Sequence, residues 1–406
     1  MRHGGGGRYN TEIASALQTA SPVTLISPVE VPRRRASSPQ DYLPALTGLR
    51  FWLAVWVIVH HISNKGMMLE AWSNSLPAPL SRFMHSGYLA VQTFFVLSGF
   101  VLARTYAQTR WNGPSLGRFF TARFARIYPV YFASVIMVSP FIIESMVKST
   151  WSSARRATVL TDYLLVLQGW VPSLGVGWNT PAWSLTCEFF FYLCFPLLFL
   201  ALRNVRWTGA AVALATAVMM PTAFDRMGAS WSWQPVFHLG DFIAGIAAAR
   251  IYAMLAPKRG WLRRGYWLYL PAITVGLWLI THPDTVKPTG FDVGTFLRFL
   301  NVVMLIGLAL SGGWLAKGLA GPRSDFLGKA SYSMYVLHVP ILWWTARYFV
   351  HGWMHPPLVI GAGIYLLLVI AASGLMYQRL EAPASLWIRN FQKRGEQSRS
   401  SAPQLT

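Results

Sequence analysis

Residues 46–62 read LTGLRFWLAVWVIVHHI, a nearly uninterrupted apolar stretch with Arg50 near one end and His60 and His61 near the other. As an α-helix, this stretch would rise about 26 Å, close to the roughly 30 Å of hydrocarbon that a membrane helix must cross. Ionisable side chains inside such a helix are costly, and they indicate functional positions. The stretch therefore predicts a transmembrane helix that carries chemistry.

Similar apolar runs recur along the chain, and together they predict an all-α polytopic membrane protein with about ten transmembrane helices. The runs lie at about 49–68, 88–105, 127–146, 182–202, 207–224, 236–255, 266–281, 297–316, 330–349 and 357–378.

Composition excludes a soluble protein, because 54% of the 406 residues are hydrophobic and only 12% are charged, against about 25% charged in soluble domains. The net charge of +21 could suggest nucleic acid. Basic residues, however, lie between the apolar runs, which indicates membrane topology and contact with lipid headgroups or phosphates. We expect a multi-pass protein of the inner (cytoplasmic) membrane, with both termini cytoplasmic and no nucleic-acid partner.

Three regions follow from this pattern. Residues 1–40 are rich in Gly, Ser, Pro and Arg and predict a disordered basic cytoplasmic tail. Residues 41–385 form the predicted transmembrane domain, and 386–406 a second disordered cytoplasmic tail. Cys187 and Cys194 are too far apart along one helix to form a disulfide bond.

His61 follows Arg50 by eleven residues, which corresponds to about 1100° of helical rotation and about 16 Å of rise. The two side chains therefore share one face, with the imidazole near mid-bilayer and His60 pointing about 100° away. A neutral histidine there could act as a base or nucleophile. Equally, it could make a structural hydrogen bond to a neighbouring helix.

Glu188 lies in PAWSLTCEFFFYLCFP at residues 181–196, at a depth within about 5 Å of that inferred for His61. Similar depth permits a His–Glu pair. Cys187 is a weaker candidate nucleophile, since a buried thiol without an activating neighbour is inert.

Arg123 and Arg126 are three residues apart in RFARIYPVY, before the third span. On a helix they would share a face and could bind phosphate. Ordinary positively charged flanking residues would give the same pattern. Elsewhere, Tyr332 and His338 could line a cavity or bond between helices, and Asp241 fits an interhelical hydrogen bond.

Taken in order, these segments resemble the integral-membrane acyltransferase-3 family, over about residues 43–385 and with the ten spans of that family. The matching segments are LPALTGLRFWLAVWVIVHH at 43–61, GYLAVQTFFVLSGFVL at 87–102, RFARIYPVY at 123–131, PAWSLTCEFFFYLCFP at 181–196, FLGKASYSMYVLH at 326–338 and RLEAPAS at 379–385.

The resemblance implies an O-acyltransferase that moves an acyl group, commonly acetyl, from cytoplasmic acyl-CoA to a hydroxyl of a saccharide, cell-envelope glycan or glycosylated metabolite. The family's arginine and histidine motif matches Arg50 and His61, and its RxxR element matches Arg123 and Arg126. Its glutamate matches Glu188. The chain departs from the family at Gln92, where many members have aspartate, and at Ala382, where arginine is usual.

The expected site combines three roles, with acyl-CoA as co-substrate and without a metal. The residues are His61, Glu188 and Arg50 for catalysis, Arg123, Arg126 and Arg50 for the donor, and Trp183, Tyr332 and His338 for the acceptor. A glycolipid transporter or flippase is the alternative, because it would also need intramembrane His and Glu. The oligomeric state stays open.

Overall fold

The structure is a computed structural model that describes residues 42–170, 177–228, 234–258, 265–310, 313–351, 357–387 and 390. The predicted tail at 1–40 and most of the predicted tail at 386–406 lie outside these residues. Contacts divide the chain after Tyr42, and the unit that begins at Leu43 contains every helix described below.

The described chain is helical, without a β-strand in the ranges given above, so the predicted all-α class is confirmed. Its α-helices are α1 Pro44–Ser63, α2 Glu70–Ser75, α3 Ala78–His85, α4 Leu89–Thr105, α5 Gly113–Lys148, α6 Ser153–Leu165, α7 Trp183–Leu202, α8 Trp207–Arg226, α9 Leu239–Leu255, α10 Tyr266–Thr281, α11 Val293–Leu310, α12 Trp314–Leu319, α13 Pro322–His351 and α14 Leu358–Met376. A 3₁₀-helix at Gly177–Ala182 precedes α7, and a π-helical turn at Tyr377–Glu381 follows α14.

Each of the ten predicted apolar runs overlaps one of these helices, but fewer helices meet the length and hydropathy expected of a membrane span. Six described segments do, and the pair α3 and α4, bent by 50°, would make a seventh. α9 has only 17 residues and α10 only 16. Ten spans and the orientation of the termini therefore stay predictions.

α5 is much longer than the run predicted at 127–146, because its 36 residues extend about 54 Å. It begins at a capping box, in which Asn112 Oδ1 accepts from the Ser115 amide at 2.9 Å and Ser115 Oγ accepts from the Asn112 amide. Arg123 and Arg126 therefore lie on a continuous helix, as their predicted shared face requires.

Close backbone contacts hold the helices around the site. A Cβ atom at Gly328 of α13 would lie 2.0 Å from the carbonyl oxygen of Thr47 in α1, so only glycine fits there. One at Gly245 of α9 would lie 2.0 Å from the carbonyl oxygen of Val96 in α4. Small residues allow this approach between membrane helices, and the first contact sets α1 directly against α13.

Asp241 joins α9 to α11 through a buried ion pair. Arg298 Nε donates to Asp241 Oδ1 at 2.5 Å, and Arg298 Nη1 donates to the carbonyl oxygen of Val218 at 3.1 Å. His238 Nδ1 lies 3.2 Å from the second carboxylate oxygen. This geometry agrees with the structural interpretation of Asp241, because the pairing satisfies a charge that would be costly alone.

Asp162, at the C-terminal part of α6, is a buried carboxylate that lies outside the candidate membrane spans. Its side chain is 3% exposed, and both carboxylate oxygens lack a hydrogen-bond partner. Desolvation raises the pKa of Asp162 from 3.8 to about 6. Since the folded state then binds more protons than the unfolded state between these values, stability falls as pH rises from about 4 to about 6.

We expect Asp162→Asn to stabilise the protein at pH 7.5, by on the order of 1 to 2 kcal/mol, because the variant no longer buries a charge. At pH 5, midway through the range in which stability falls, the gain should be about half as large, because the folded carboxyl is largely protonated while the unfolded one is ionised. Thermal unfolding of the detergent-solubilised protein at both pH values measures this. Asp284→Asn, at an exposed ion pair with Lys287, is the control. An equal gain at both pH values would contradict the prediction.

Candidate active site

His61 lies in the last turn of α1, where its half-buried imidazole faces α13. Its Nδ1 atom is 2.9 Å from the carbonyl oxygen of Val57 and 3.4 Å from Nε2 of His338. The two rings meet edge to face, with centroids 4.9 Å apart. The structure therefore brings together two predicted site residues that are 277 positions apart in the chain.

Hydrogen bonds to backbone carbonyls assign the tautomers of both rings. Nδ1 of His338 is 2.7 Å from the carbonyl oxygen of Tyr335, and a carbonyl only accepts, so both Nδ1 atoms carry the proton. His338 Nε2 is then an acceptor that faces the Nδ1–H of His61. In the described part of the chain, no hydrogen bond uses Nε2 of His61, which is left with a free lone pair on a partly exposed ring.

His60 is turned away from this pair, as its 100° offset predicts. Its Nε2 atom lies 3.2 Å from Nδ2 of Asn64, and its ring is 5.6 Å from that of Tyr88. His60 therefore contacts the start of α4 rather than α13, and it serves as a matched comparison for His61.

Three arginines gather at the opposite end of α1. Arg50 interacts electrostatically with Arg126, and the Arg123 guanidinium carbon lies 6.0 Å from the centre of the Tyr192 ring. Among the described residues, none of the three arginines donates a hydrogen bond or forms an ion pair, and Nε is buried in both Arg50 and Arg123. Unsatisfied buried guanidinium donors are suited to an anionic ligand.

Glu188 belongs to this group of arginines. Its Oε2 atom accepts a hydrogen bond from the Tyr192 hydroxyl at 3.0 Å, and its charge acts on Arg50 and Arg126. The described contacts contain no bond between Glu188 and His61. Similar depth permits such a pair, but depth says nothing about the direction in which two helices face each other.

The predicted acceptor-binding residues are spread over three places. The Tyr332 hydroxyl donates to the carbonyl oxygen of Ile127 at 2.7 Å, which ties α13 to α5 beside Arg126. Trp183, at the start of α7, packs 5.2 Å from the ring of His238. Among the described contacts, His61 is paired with His338.

Two residues of the arginine group were missing from the predicted site, Tyr192 and Glu381. Tyr192 follows Glu188 by four residues, and this spacing alone places it on the same helical face. Glu381 is 5% exposed and accepts a hydrogen bond from Ser333 Oγ at 2.8 Å. The arginine cluster, as named below, consists of Arg50, Arg123, Arg126, Glu188, Tyr192 and Glu381.

The described residues also include thiols and side chains of the types that bind metals. No group of three or more His, Cys, Asp or Glu side chains there could hold a metal ion. Cys187 is fully buried, and both it and Cys194 are free thiols. The arrangement offers one imidazole nitrogen in α1 that can accept a proton, together with guanidinium donors from Arg50 of the same helix and from Arg123 and Arg126 of α5.

Comparison with known proteins identifies the family. A family model described as an acyltransferase domain matches residues 43–377. Acyltransferase MdmB of Streptomyces mycarofaciens is 28% identical over 376 residues, covering 84% of this chain and 91% of that protein. O-acetyltransferase OatA of Staphylococcus aureus is 23% identical over 379 residues, and the match spans 57% of its length. No solved structure matches.

The matched region begins one residue before α1 and ends within the π-helical turn. It therefore contains the His61–His338 pair and every member of the arginine cluster except Glu381. The chain belongs to the acyltransferase-3 family and is an acyltransferase.

Proposed function

We propose that the protein is a membrane O-acyltransferase that moves an acetyl group from cytoplasmic acetyl-CoA to a hydroxyl of a saccharide, cell-envelope glycan or glycosylated metabolite. The observation that carries this proposal is the free Nε2 of His61, on the same helix as Arg50, which belongs to an arginine cluster whose guanidinium donors are unused. Family membership favours an enzyme over the alternative of a glycolipid transporter or flippase.

The donor enters from the side of the arginine cluster. Its phosphates accept hydrogen bonds from Arg50, Arg123 and Arg126, which lack acceptors of their own. The pantetheine arm then extends along α1 toward His61, about 16 Å away along the helix axis. Phosphate binding and the reaction at the thioester therefore take place at separate positions, which suits acyl-CoA because its pantetheine arm separates the phosphates from the thioester.

At His61, Nε2 takes the proton of the acceptor hydroxyl as its oxygen attacks the thioester carbonyl carbon. The new C–O bond forms, the C–S bond breaks, and the imidazolium returns the proton to the departing thiolate of CoA. A thioester is already activated, so one positioned base is sufficient. Transient acylation of His61 itself, followed by transfer to the hydroxyl, would use the same nitrogen.

Val57 and His338 hold the imidazole for this step. Both present acceptors to Nδ1–H of His61, which keeps the lone pair on Nε2 and stabilises the ring when it becomes positively charged. Glu188 acts at a distance, as a countercharge in the arginine cluster. Trp183 is the proposed acceptor contact, whereas both ring nitrogens of His338 and the Tyr332 hydroxyl are already engaged in hydrogen bonds.

We further propose that all ten apolar helices cross the inner membrane, with both termini cytoplasmic. Two observations support this arrangement: each predicted run overlaps a described helix, and the basic segments alternate along the sequence. Fusion reporters inserted after successive helices test the topology.

We expect His61→Gln to lower kcat by about 1000-fold or more, because glutamine cannot accept the proton. His60→Gln, one residue away and facing α4, should retain most activity. Mass spectrometry of envelope glycans and small metabolites, from a deletion strain complemented with each variant, detects the acetyl substituent. Normal acetylation in the His61→Gln strain would refute the proposed base.

His338→Asn should lower kcat by on the order of 10- to 100-fold while leaving KM for acetyl-CoA nearly unchanged, since the His61 ring loses an orienting acceptor but the donor site is intact. Steady-state kinetics of the purified protein separate the two constants. A selective rise in KM would instead place His338 in donor binding.

Arg126→Gln should raise KM for acetyl-CoA by about 10- to 100-fold, the equivalent of one charge-assisted phosphate contact. Acetyl-pantetheine, which lacks the CoA phosphates, provides the matched comparison: the variant should use it as well as the wild type does. An equal loss with both donors would argue against phosphate recognition by Arg126.

A further inference from the structure

Glu381 is buried at the end of an irregular, π-helical turn of the backbone. The regular helix α14 ends at Met376, and a π-helical turn continues from Tyr377 to Glu381. Glu381 is 5% exposed, although Gln378 and Arg379 in the same turn are exposed. π-turns within helices occur frequently at functional sites.

The π-turn changes the direction in which Glu381 points. Tyr365, Val369 and Ser373 form the fully buried face of α14. Eight regular α-helical steps from Ser373 would rotate residue 381 by about 800°, which leaves it about 80° away from that face. Because a π-turn takes about one more residue per turn, it returns Glu381 close to the buried direction.

There, Glu381 is held by a neighbouring helix. Ser333 Oγ of α13 donates to its Oε2 atom at 2.8 Å. The adjacent residue, Tyr332, donates to the carbonyl oxygen of Ile127, next to Arg126 in α5. One turn of α13 therefore fixes both the carboxylate and the segment of α5 that carries Arg126.

Glu381 interacts electrostatically with Arg126 and Arg50, yet neither arginine donates to it within the described chain. Buried guanidinium charges need a countercharge. A carboxylate that formed a direct fork with them would occupy the donors that a phosphate needs. Glu381 provides the countercharge from a distance, so the N–H groups of both arginines stay available.

We infer that Glu381, placed by the π-turn, is a positioning residue of the donor site, which holds Arg126 and Arg50 in place for the phosphates of CoA. This inference rests on the proposed function. A positioning role and a purely electrostatic role predict opposite results for a variant that removes this carboxylate. Loss of a negative charge near an anion site would by itself strengthen CoA binding, whereas loss of a positioning residue would weaken it.

The test measures binding of coenzyme A itself, by calorimetry, to the purified full-length protein, in parallel with kinetics and thermal unfolding. We expect Glu381→Gln to weaken CoA binding and to raise KM for acetyl-CoA, each by about 10-fold. kcat should change by less than about 2-fold. Glu381→Asp, which keeps the charge, should recover part of the affinity.

Glu144→Gln is the matched control, because Glu144 makes exposed ion pairs with Lys148 and Arg347 away from the cluster; its CoA affinity should equal that of the wild type. Ser333→Ala keeps the charge of Glu381 but removes the bond that orients it. We expect it to weaken CoA binding by about 3-fold, which provides a reading even if Glu381→Gln fails to fold.

Tighter or unchanged CoA binding by Glu381→Gln would overturn the positioning role and leave the proposed function intact. If the Glu381→Gln variant does not fold, the Ser333→Ala variant decides the question. Wild-type CoA affinity in Ser333→Ala would also overturn the positioning role. Failure of the wild-type protein to bind CoA would instead overturn the proposed donor site, and this inference with it.

Discussion

The contact between α1 and α13 is the constraint on which the site depends. At Gly328 the two backbones approach so closely that a single added methyl group would collide with Thr47. This approach seats His61 against His338 at one end of α1 and brings Arg50 beside the turn of α13 that anchors Glu381. A side chain larger than hydrogen at Gly328 would separate both halves of the site together.

Charge is the second organising principle. Buried ionic groups in an apolar protein are costly, and this chain satisfies them in two different ways. The Asp241–Arg298 pair is closed by direct hydrogen bonds, which use the carboxylate and leave no site. In the arginine cluster, carboxylates act at a distance and bond to Tyr192 and Ser333 instead. The first arrangement holds helices together, and the second leaves donors for a ligand.

Residue spacing correctly predicted which residues share a helix when both lie on the same one. Arg50 and His61 lie on one continuous helix, as do Arg123 and Arg126, and His60 faces elsewhere as its offset requires. Residue spacing did not determine which side chains of two different helices meet. Glu188 shares the inferred depth of His61 but bonds to Tyr192, while His338 occupies the position beside the imidazole. Depth follows from counting residues, whereas contact depends on helix rotation.

The sequence by itself determined the helical class, the approximate positions of ten apolar segments and the family, because hydrophobic periodicity and ordered motifs are local properties of a chain. Tertiary structure alone decided the histidine pair, the tautomers and the membership of the arginine cluster. Those depend on packing between helices hundreds of residues apart. The burial of Glu381 is the clearest example of a feature that the sequence does not predict. One π-turn rotates its side chain by about 80° from the direction that regular α-helical geometry would give.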